Sequence, residues 1–335
     1  INRMNFKKNF PLAHLCSLKT KEIASYYCSI LDIDELDEIR SFTSKNNIPF
    51  LLLGEGTNVV PTNTFHGLVV KNQLKGIELV DNLTIKVAGG ENWHEFVQWT
   101  VMNKKYGLEN LALIPGTIGA GPIQNIGAYG SEISDCIQEV TFFDLHENRI
   151  RTFNKKECNF GYRTSIFKTR PELFILSVTF KLNDEPKPNL SYQSLKDEIF
   201  NSGMNEGSIE PIDIFNAVMK IRNRVLPNYI EFPNVGSFFK NVYLSPEDYK
   251  KLQLPSSIHI LEQDNTVKIS SANLLESFGW KGFRRNNIGI SDQHSLVLVT
   301  YEETFGEEIV KFSNEIIEDI FSKTGIVLEV EPTFI

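Results

Sequence analysis

Short apolar runs, broken by glycine, proline and polar clusters, recur along this chain and are interleaved with amphipathic stretches. Ile48 to Leu53 is closed by Gly54 and predicts a buried strand; Asp34 to Lys45, headed by aspartates, predicts a short helix before it. Strand patterns recur at Thr84 to Ala88, Glu139 to Leu145 and Phe174 to Leu182, and helical spacing at Trp93 to Lys104 and Asp213 to Arg224. Residues up to about Ser17 read as a tail, and Asn183 to Pro188 as a loop. Beyond Pro227 and Pro233 the pattern predicts two strands and two helices, the last at Thr304 to Thr324. Ile326 to Ile335 predicts a closing strand that returns to an earlier sheet. Mixed elements without strict strand-helix-strand alternation give an α+β class.

With 335 residues, 41% hydrophobic and 23% charged, the chain has material for two or three cores, and disorder or a small disulfide scaffold is excluded. Lys and Arg number 34 against 42 Asp and Glu, a net charge of -8. No global positive field draws nucleic acid or anionic lipid, so a phosphate-bearing ligand must be held by local donors. No apolar run is long enough to span a bilayer, and Ile1 to Asn5 has no signal-peptide core, which leads us to expect a cytoplasmic protein. The four cysteines form no CxxC pair and the six histidines have no metal-binding spacing, so no metal site is expected.

Candidate chemistry begins at Gly54-Glu55-Gly56-Thr57-Asn58-Val59. Glycines there let backbone N–H groups approach a pyrophosphate, with the Thr57 hydroxyl and Asn58 amide as neutral donors; a plain β-turn is the alternative. A Rossmann fingerprint is disfavoured, since it needs a third glycine and a following helix. The run from Leu113 to Gly130 holds five further candidates for close approach: Gly116, Gly119, Gly121, Gly127 and Gly130, with two prolines and almost no charge. Such a backbone suits a flat, largely apolar ligand whose heteroatoms Gln124 and Asn125 satisfy; it also suits a packing turn. In Gly161-Tyr162-Arg163-Thr164, Arg163 can fork onto a carboxylate or simply stack on Tyr162. In Val235-Gly236-Ser237-Phe238-Phe239, Ser237 is a turn residue or, beside a cation in a dry pocket, a proton donor. Glu329 and Glu331 near the end read as solvated carboxylates on one strand face.

These segments, in this order, resemble the UDP-N-acetylenolpyruvoylglucosamine reductase family, from about Ile48 to Ile335; the pattern IPGxxGxxPIQNIGAYG joined to a downstream GSFFKN is specific to it. The resemblance implies reduction of the enolpyruvyl ether of UDP-N-acetylglucosamine by NADPH through non-covalent FAD, on an FAD-binding fold of the vanillyl-alcohol-oxidase type. It implies two FAD-binding subdomains, 1–72 with 326–335 and 73–225, and a UDP-sugar domain, 226–325, in a monomer that acts on small molecules. FAD contacts are implied for Gly54, Glu55, Gly56, Thr57, Asn58 and Val59, for Pro115, Gly116, Thr117, Gly119, Ala120 and Gly121, and for Gln124, Asn125, Ile126, Gly127, Ala128 and Tyr129.

The resemblance also makes Ser237 the general acid that protonates the enolate carbon after hydride reaches the β-carbon, and sets Arg163 and Glu331 against the enolpyruvyl group. A fixed guanidinium stabilises the developing enolate, whereas Glu331 must be protonated or orient a neighbour. Tyr192 resembles a tyrosine on a loop that closes over substrate; Tyr162, Arg222, Asn241, Lys268 and Lys281 resemble residues facing the substrate. Departures are Cys16-Ser17-Leu18-Lys19 where relatives carry NTFG, Val225 in place of a lysine with Arg224 just ahead, Ala272-Asn273-Leu274-Leu275 for AGWLI, and LEVEPTF for LEPEVRF. Another FAD oxidoreductase on this scaffold, or a UDP-sugar binding protein that has lost catalysis, are the rival readings.

Overall fold

A computed structural model describes residues 4–263 and 265–335. The chain forms two compact units. The first comprises Tyr26–Glu55 and His66–Arg224 with the N-terminal residues through Lys8, and the second Asn9–Ser25, Gly56–Phe65 and Val225–Ile335.

One sheet of the first unit runs in the order Lys7–Pro11, Ile23–Ile30, Phe65–Asn72, Phe50–Leu53, the last two strands in parallel. Helix Leu36–Asn46 covers it, burying Leu36 and Ile39 with Ile30, Leu68 and Val70. Asp32 and Glu35 form a capping box on the single turn that leads into this helix, and Asn47, in the left-handed region, ends it. The second sheet is antiparallel, ordered Arg149–Asn154, Ile137–Asp144, Leu173–Lys181, Thr84–Ala88, Ile77–Leu79. Its central strand is buried along eight of nine residues, because Phe174 and Leu176 join the core of the first sheet while Phe180 meets Trp93 and Phe96 of helix Trp93–Met102.

In the second unit a four-stranded sheet is ordered Asn234–Ser237, Val297–Thr300, Ile288–Ile290, Arg284–Arg285, and a three-stranded sheet Val242–Leu244, Thr266–Ile269, Ile260–Gln263. Helix Gly306–Thr324 buries Ile309, Phe312, Ile316 and Ile320, a helical stripe, in a core with Phe238, Phe239 and Leu298.

The α+β class and the long elements agree with the sequence reading to within a few residues. Three readings need correction. The tail is packed chain: Leu12 and Leu18 are fully buried and two strands lie before Leu31. Among the described residues the region beyond Val225 holds eight strands, each of two to four residues, too short for period-two alternation to show. The closing strand is only Thr333–Phe334, since Pro332 just before it lacks the N–H that pairing needs. It does return, in parallel, to Val59–Val60. That pairing, with Thr62 N–H on the Ile335 carbonyl (2.7 Å) and Gly306 against Pro61, groups residues 56–65 with the C-terminal unit, a division by packing that differs from the expected partition.

Candidate active site

The first glycine loop leaves strand Phe50–Leu53 directly, as its apolar run requires. A Cβ on Gly54 would lie 2.6 Å from Thr117 Oγ1 and 3.3 Å from the Ala120 methyl, so only glycine lets the two loops approach this closely. Glu55 accepts from the Asn92 amide (3.3 Å), and Asn92 Oδ1 caps helix Trp93–Met102 through Glu95 N–H (3.0 Å). The second run is fastened from below: Trp93 N–H donates to the Gly116 carbonyl, Ile118 N–H to Glu91 and Gly119 N–H to Gly89. Ile118 is fully buried, and a Cβ on Gly119 would meet the Gly89 carbonyl at 3.0 Å. These contacts answer why the run is so glycine-rich.

His94, which the sequence reading did not single out, closes the start of that run. Its Nδ1 accepts from Leu113 N–H (3.0 Å), and its ring stacks on Phe215 at 5.6 Å. Burial, countered by Glu95 and reinforced by Arg222, holds its pKa below the ordinary value, so the ring is neutral with the proton on Nε2. Asn92 carries a cap signature in the sequence, Asn followed three residues later by Glu; His94 carries no such mark.

Tyr129, Tyr192 and Arg222 come together in the first unit. The tyrosine rings meet edge-on at 5.4 Å, and Arg222, on helix Pro211–Val225, is hydrogen-bonded to Tyr129. Burial pushes the Tyr129 phenol up, against the pull of the Arg222 charge. Asn110 ties the segment before Tyr192 to the glycine run, its Nδ2 donating to the carbonyls of Tyr129 and Asn189 (both 2.9 Å). Arg224 is paired with Glu198 (2.9 Å), which Lys220 shares, so its charge does not replace the lysine at Val225.

Arg163 sits at the tip of a two-residue turn closed by Gly161 and Thr164, with φ 53. Its Nη2 donates to the Gly127 carbonyl (2.7 Å) and its guanidinium lies 5.2 Å from the Tyr162 ring centre. Stacking and anchoring on the glycine run therefore occur together. Ala128 and Gly127 pair with Ser131 and Glu132 in a short ladder. Asn125 is 1% exposed and gives its amide to Glu132 and Gly161, so its side chain is engaged by protein.

In the second unit Gly56 has φ 62, and a Cβ there would fall 2.1 Å from the Leu15 carbonyl. The departing segment Cys16 to Lys19 thus packs on the glycine loop: Ser17 N–H donates to the Gly56 carbonyl (3.0 Å) and Ser17 Oγ to that of Asn234 (2.5 Å). Asn234 Oδ1 in turn accepts from Gly236 N–H (2.9 Å), setting the bend at Gly236, φ 74, from which Ser237 projects, half-buried. Glu331 N–H donates to the Phe238 carbonyl (2.9 Å) and Lys240 N–H to that of Glu329, so the tail glutamates run beside the serine strand. Glu329 pairs with Lys240 at 3.0 Å. Asn241 Oδ1 accepts from Ser271 N–H (3.2 Å), Lys268 pairs across strands with Tyr243, and Lys281 pairs with Glu276 at 3.1 Å. Asn273, in the altered AGWLI segment, accepts from His259 N–H (2.6 Å).

The residues of the first unit fit a flavin nucleotide. Thr117 Oγ1 is buried without a hydrogen-bond partner among the described residues, beside the face of Gly54 that a Cβ would fill. Among the described residues no cluster of three metal-ligating side chains occurs, and no helix is long and apolar enough to cross a membrane. All four cysteines are buried, their thiols pushed up to about 12 by burial.

Comparison with known proteins agrees with this geometry. Residues 24–153 match the model of an FAD binding domain, and residues 227–335 that of the UDP-N-acetylenolpyruvoylglucosamine reductase C-terminal domain. A UDP-N-acetylenolpyruvoylglucosamine reductase of Pasteurella multocida is 35% identical over 98% of this chain and 96% of its own. One from Burkholderia multivorans is 38% identical over 96% of this chain and 95% of its own. The crystal structure of UDP-N-acetylenolpyruvylglucosamine reductase (MurB) from Thermus caldophilus, 20% identical, covers 99% of both chains with a TM-score of 0.69 and has the same fold. Identity at this level over nearly the whole length, with the glycine run and the serine and glutamate segments in family order, places the chain in the UDP-N-acetylenolpyruvoylglucosamine reductase family.

Proposed function

We propose that this protein reduces the enolpyruvyl ether of UDP-N-acetylglucosamine to UDP-N-acetylmuramate with NADPH, as a monomeric FAD enzyme of the cytoplasm. The observation that carries the reading is family membership over the full chain, joined to the Glu331 to Phe238 hydrogen bond that sets the tail glutamate beside the Ser237 strand. Thr117, Gly54, Gly116 and their neighbours would hold FAD, which when bound supplies the hydride and is recharged by NADPH. Asn241, Lys268 and Lys281 in the second unit, and Tyr162, Tyr192 and Arg222 in the first, are the residues we assign to the UDP-sugar, and Tyr129 belongs with the FAD contacts.

The chain's own groups then handle charge and proton. Hydride addition to the β-carbon leaves a carbanion conjugated with the carboxylate, and the Arg163 guanidinium lowers its energy. Its hydrogen bond to the Gly127 carbonyl holds the Arg163 guanidinium in one orientation, which supports that role. Ser237 gives its Oγ proton to the α-carbon. Glu331, on the neighbouring segment, orients the serine or returns a proton to it. Rapid mixing tests this: Ser237→Ala should keep NADPH-driven flavin reduction and slow reoxidation by the enolpyruvyl substrate by about 10²–10⁴-fold. Normal reoxidation would remove Ser237 as the acid. Anaerobic NADPH oxidation that becomes stoichiometric only when the enolpyruvyl substrate is added would support the reaction as a whole.

A further inference from the structure

We propose that Glu132 is a positioning residue for Arg163, acting through Asn125; the proposal rests on the role of Arg163 given above. Arg163 occupies the left-handed region (φ 53), which is strained for a non-glycine residue. Such a conformation persists only when its surroundings impose it. Thr164 N–H and Gly161 N–H close the turn on each other's carbonyls (3.2 and 3.1 Å), but these bonds fix its width and not its place.

Lys168 Nζ on the Arg163 carbonyl (3.2 Å) and Ser165 Oγ on the Ile123 carbonyl (2.7 Å) hold the turn's far side, and Asn125 holds the Gly161 side. The Asn125 Nδ2 group has two hydrogens: one goes to the Gly161 carbonyl (3.1 Å), the other to Glu132 Oε2 (2.7 Å). Asn125 Oδ1 accepts from Ser134 N–H (3.2 Å), so the amide cannot turn over without losing all three bonds. Asn125 is 1% exposed, so its amide is satisfied by these protein groups and not by bulk solvent. The backbone of Glu132 acts as well. It pairs with Gly127, whose carbonyl receives Arg163 Nη2 (2.7 Å). A Cβ on Gly127 would lie 2.9 Å from Arg163 Nη1 and 3.0 Å from Glu132 Cγ, so the guanidinium, the ladder and the glutamate stem are packed around one point. One residue thereby controls both the base of the turn and the anchor of its tip.

Displacement of a charge-stabilising group by about 1 Å can cost on the order of 100-fold in rate. The experiment is stopped-flow of the FAD-loaded full chain, reading flavin reduction by NADPH and reoxidation by the enolpyruvyl substrate separately. Glu132→Ala should slow reoxidation by about 10- to 100-fold with flavin content and reduction rate unchanged. Glu132→Gln, still an acceptor, should restore reoxidation to within about threefold of the parent, because the neutral bond is weaker but in place. Asn125→Asp keeps the acceptor for Ser134 but removes both donors, and must show the same split even if Glu132→Ala does not fold. Reoxidation left intact in either variant overturns the proposal, and so does loss of FAD or of NADPH reduction, which would assign the pair to the cofactor loop. Arg163→Lys, run in parallel, separates the two levels: if it reoxidises normally, the role of Arg163 fails; if it is slow while Glu132→Ala is fast, the positioning inference alone fails.

Discussion

Replacing Thr117 by valine should move two properties of this protein in opposite directions. The threonine hydroxyl is 2.6 Å from the point where a Cβ on Gly54 would sit, in a residue 4% exposed, and has no hydrogen-bond partner among the described residues. A buried, unsatisfied hydroxyl costs about 1–3 kcal/mol of desolvation. Valine has the same branched shape with a methyl in that place, so the FAD-free protein should gain about 1–2 kcal/mol. At roughly 2–4 °C per kcal/mol for a domain of 150–250 residues, its melting temperature should rise by several degrees. If FAD supplies the missing partner, the variant loses a hydrogen bond of about 0.5–1.5 kcal/mol in the complex, and with the apoprotein's gain the two together weaken binding by roughly ten- to several-hundredfold. Differential scanning of the apoprotein and flavin fluorescence titration read the two effects. A destabilised apoprotein with unchanged FAD affinity would refute the reasoning, since it would mean that the hydroxyl serves the fold.

Gly306→Ala places a methyl 1.7 Å from the Pro61 carbonyl, at the N-terminus of the longest helix, where Gly306 N–H also meets the buried Glu22 carboxylate (2.8 Å). Overpacking of this kind costs about 1–3 kcal/mol, and a urea midpoint equal to the parent's would contradict the packing described. His94 gives a pH dependence of definite sign. Its folded pKa lies below the ordinary 6.5, so the stability it contributes is complete above pH 6.5 and is lost as pH falls through the folded value. In His94→Asn, whose Oδ1 can take the Leu113 N–H, the fall in stability as pH drops below about 6.5 should be shallower than in the parent; an equal slope would show that other groups carry it.

The long elements were legible because each follows one period for ten residues or more, as in the stripe Ile309, Phe312, Ile316 and Ile320, or is a plain apolar run such as Ile48 to Leu53. The eight short strands described after Val225 were not, since two to four residues carry no period, and their pairing is decided by the core they close. The packed N-terminal segment was missed for a related reason: Leu12 and Leu18 are buried by partners distant in the chain.

The candidate site divides in the same way. Sequence alone determined where glycines cluster; the structure shows what requires them, backbone at Gly56 and Gly119 and the Thr117 and Ala120 side chains at Gly54. Sequence also determined the residue types suited to the chemistry: a serine, an arginine and a glutamate in family order. The tertiary structure decided how those groups are held. Asn125, expected on the cofactor, is engaged by Glu132 and Gly161; Arg224, just ahead of the missing lysine, is paired with Glu198; and His94, unmarked in the sequence, and Ser17, in the segment that departs from NTFG, fasten the two glycine loops. The reason is physical: a residue's type fixes what bonds it can make, but only the packed chain brings a competing partner within hydrogen-bond reach and shuts out the water that would otherwise take its place.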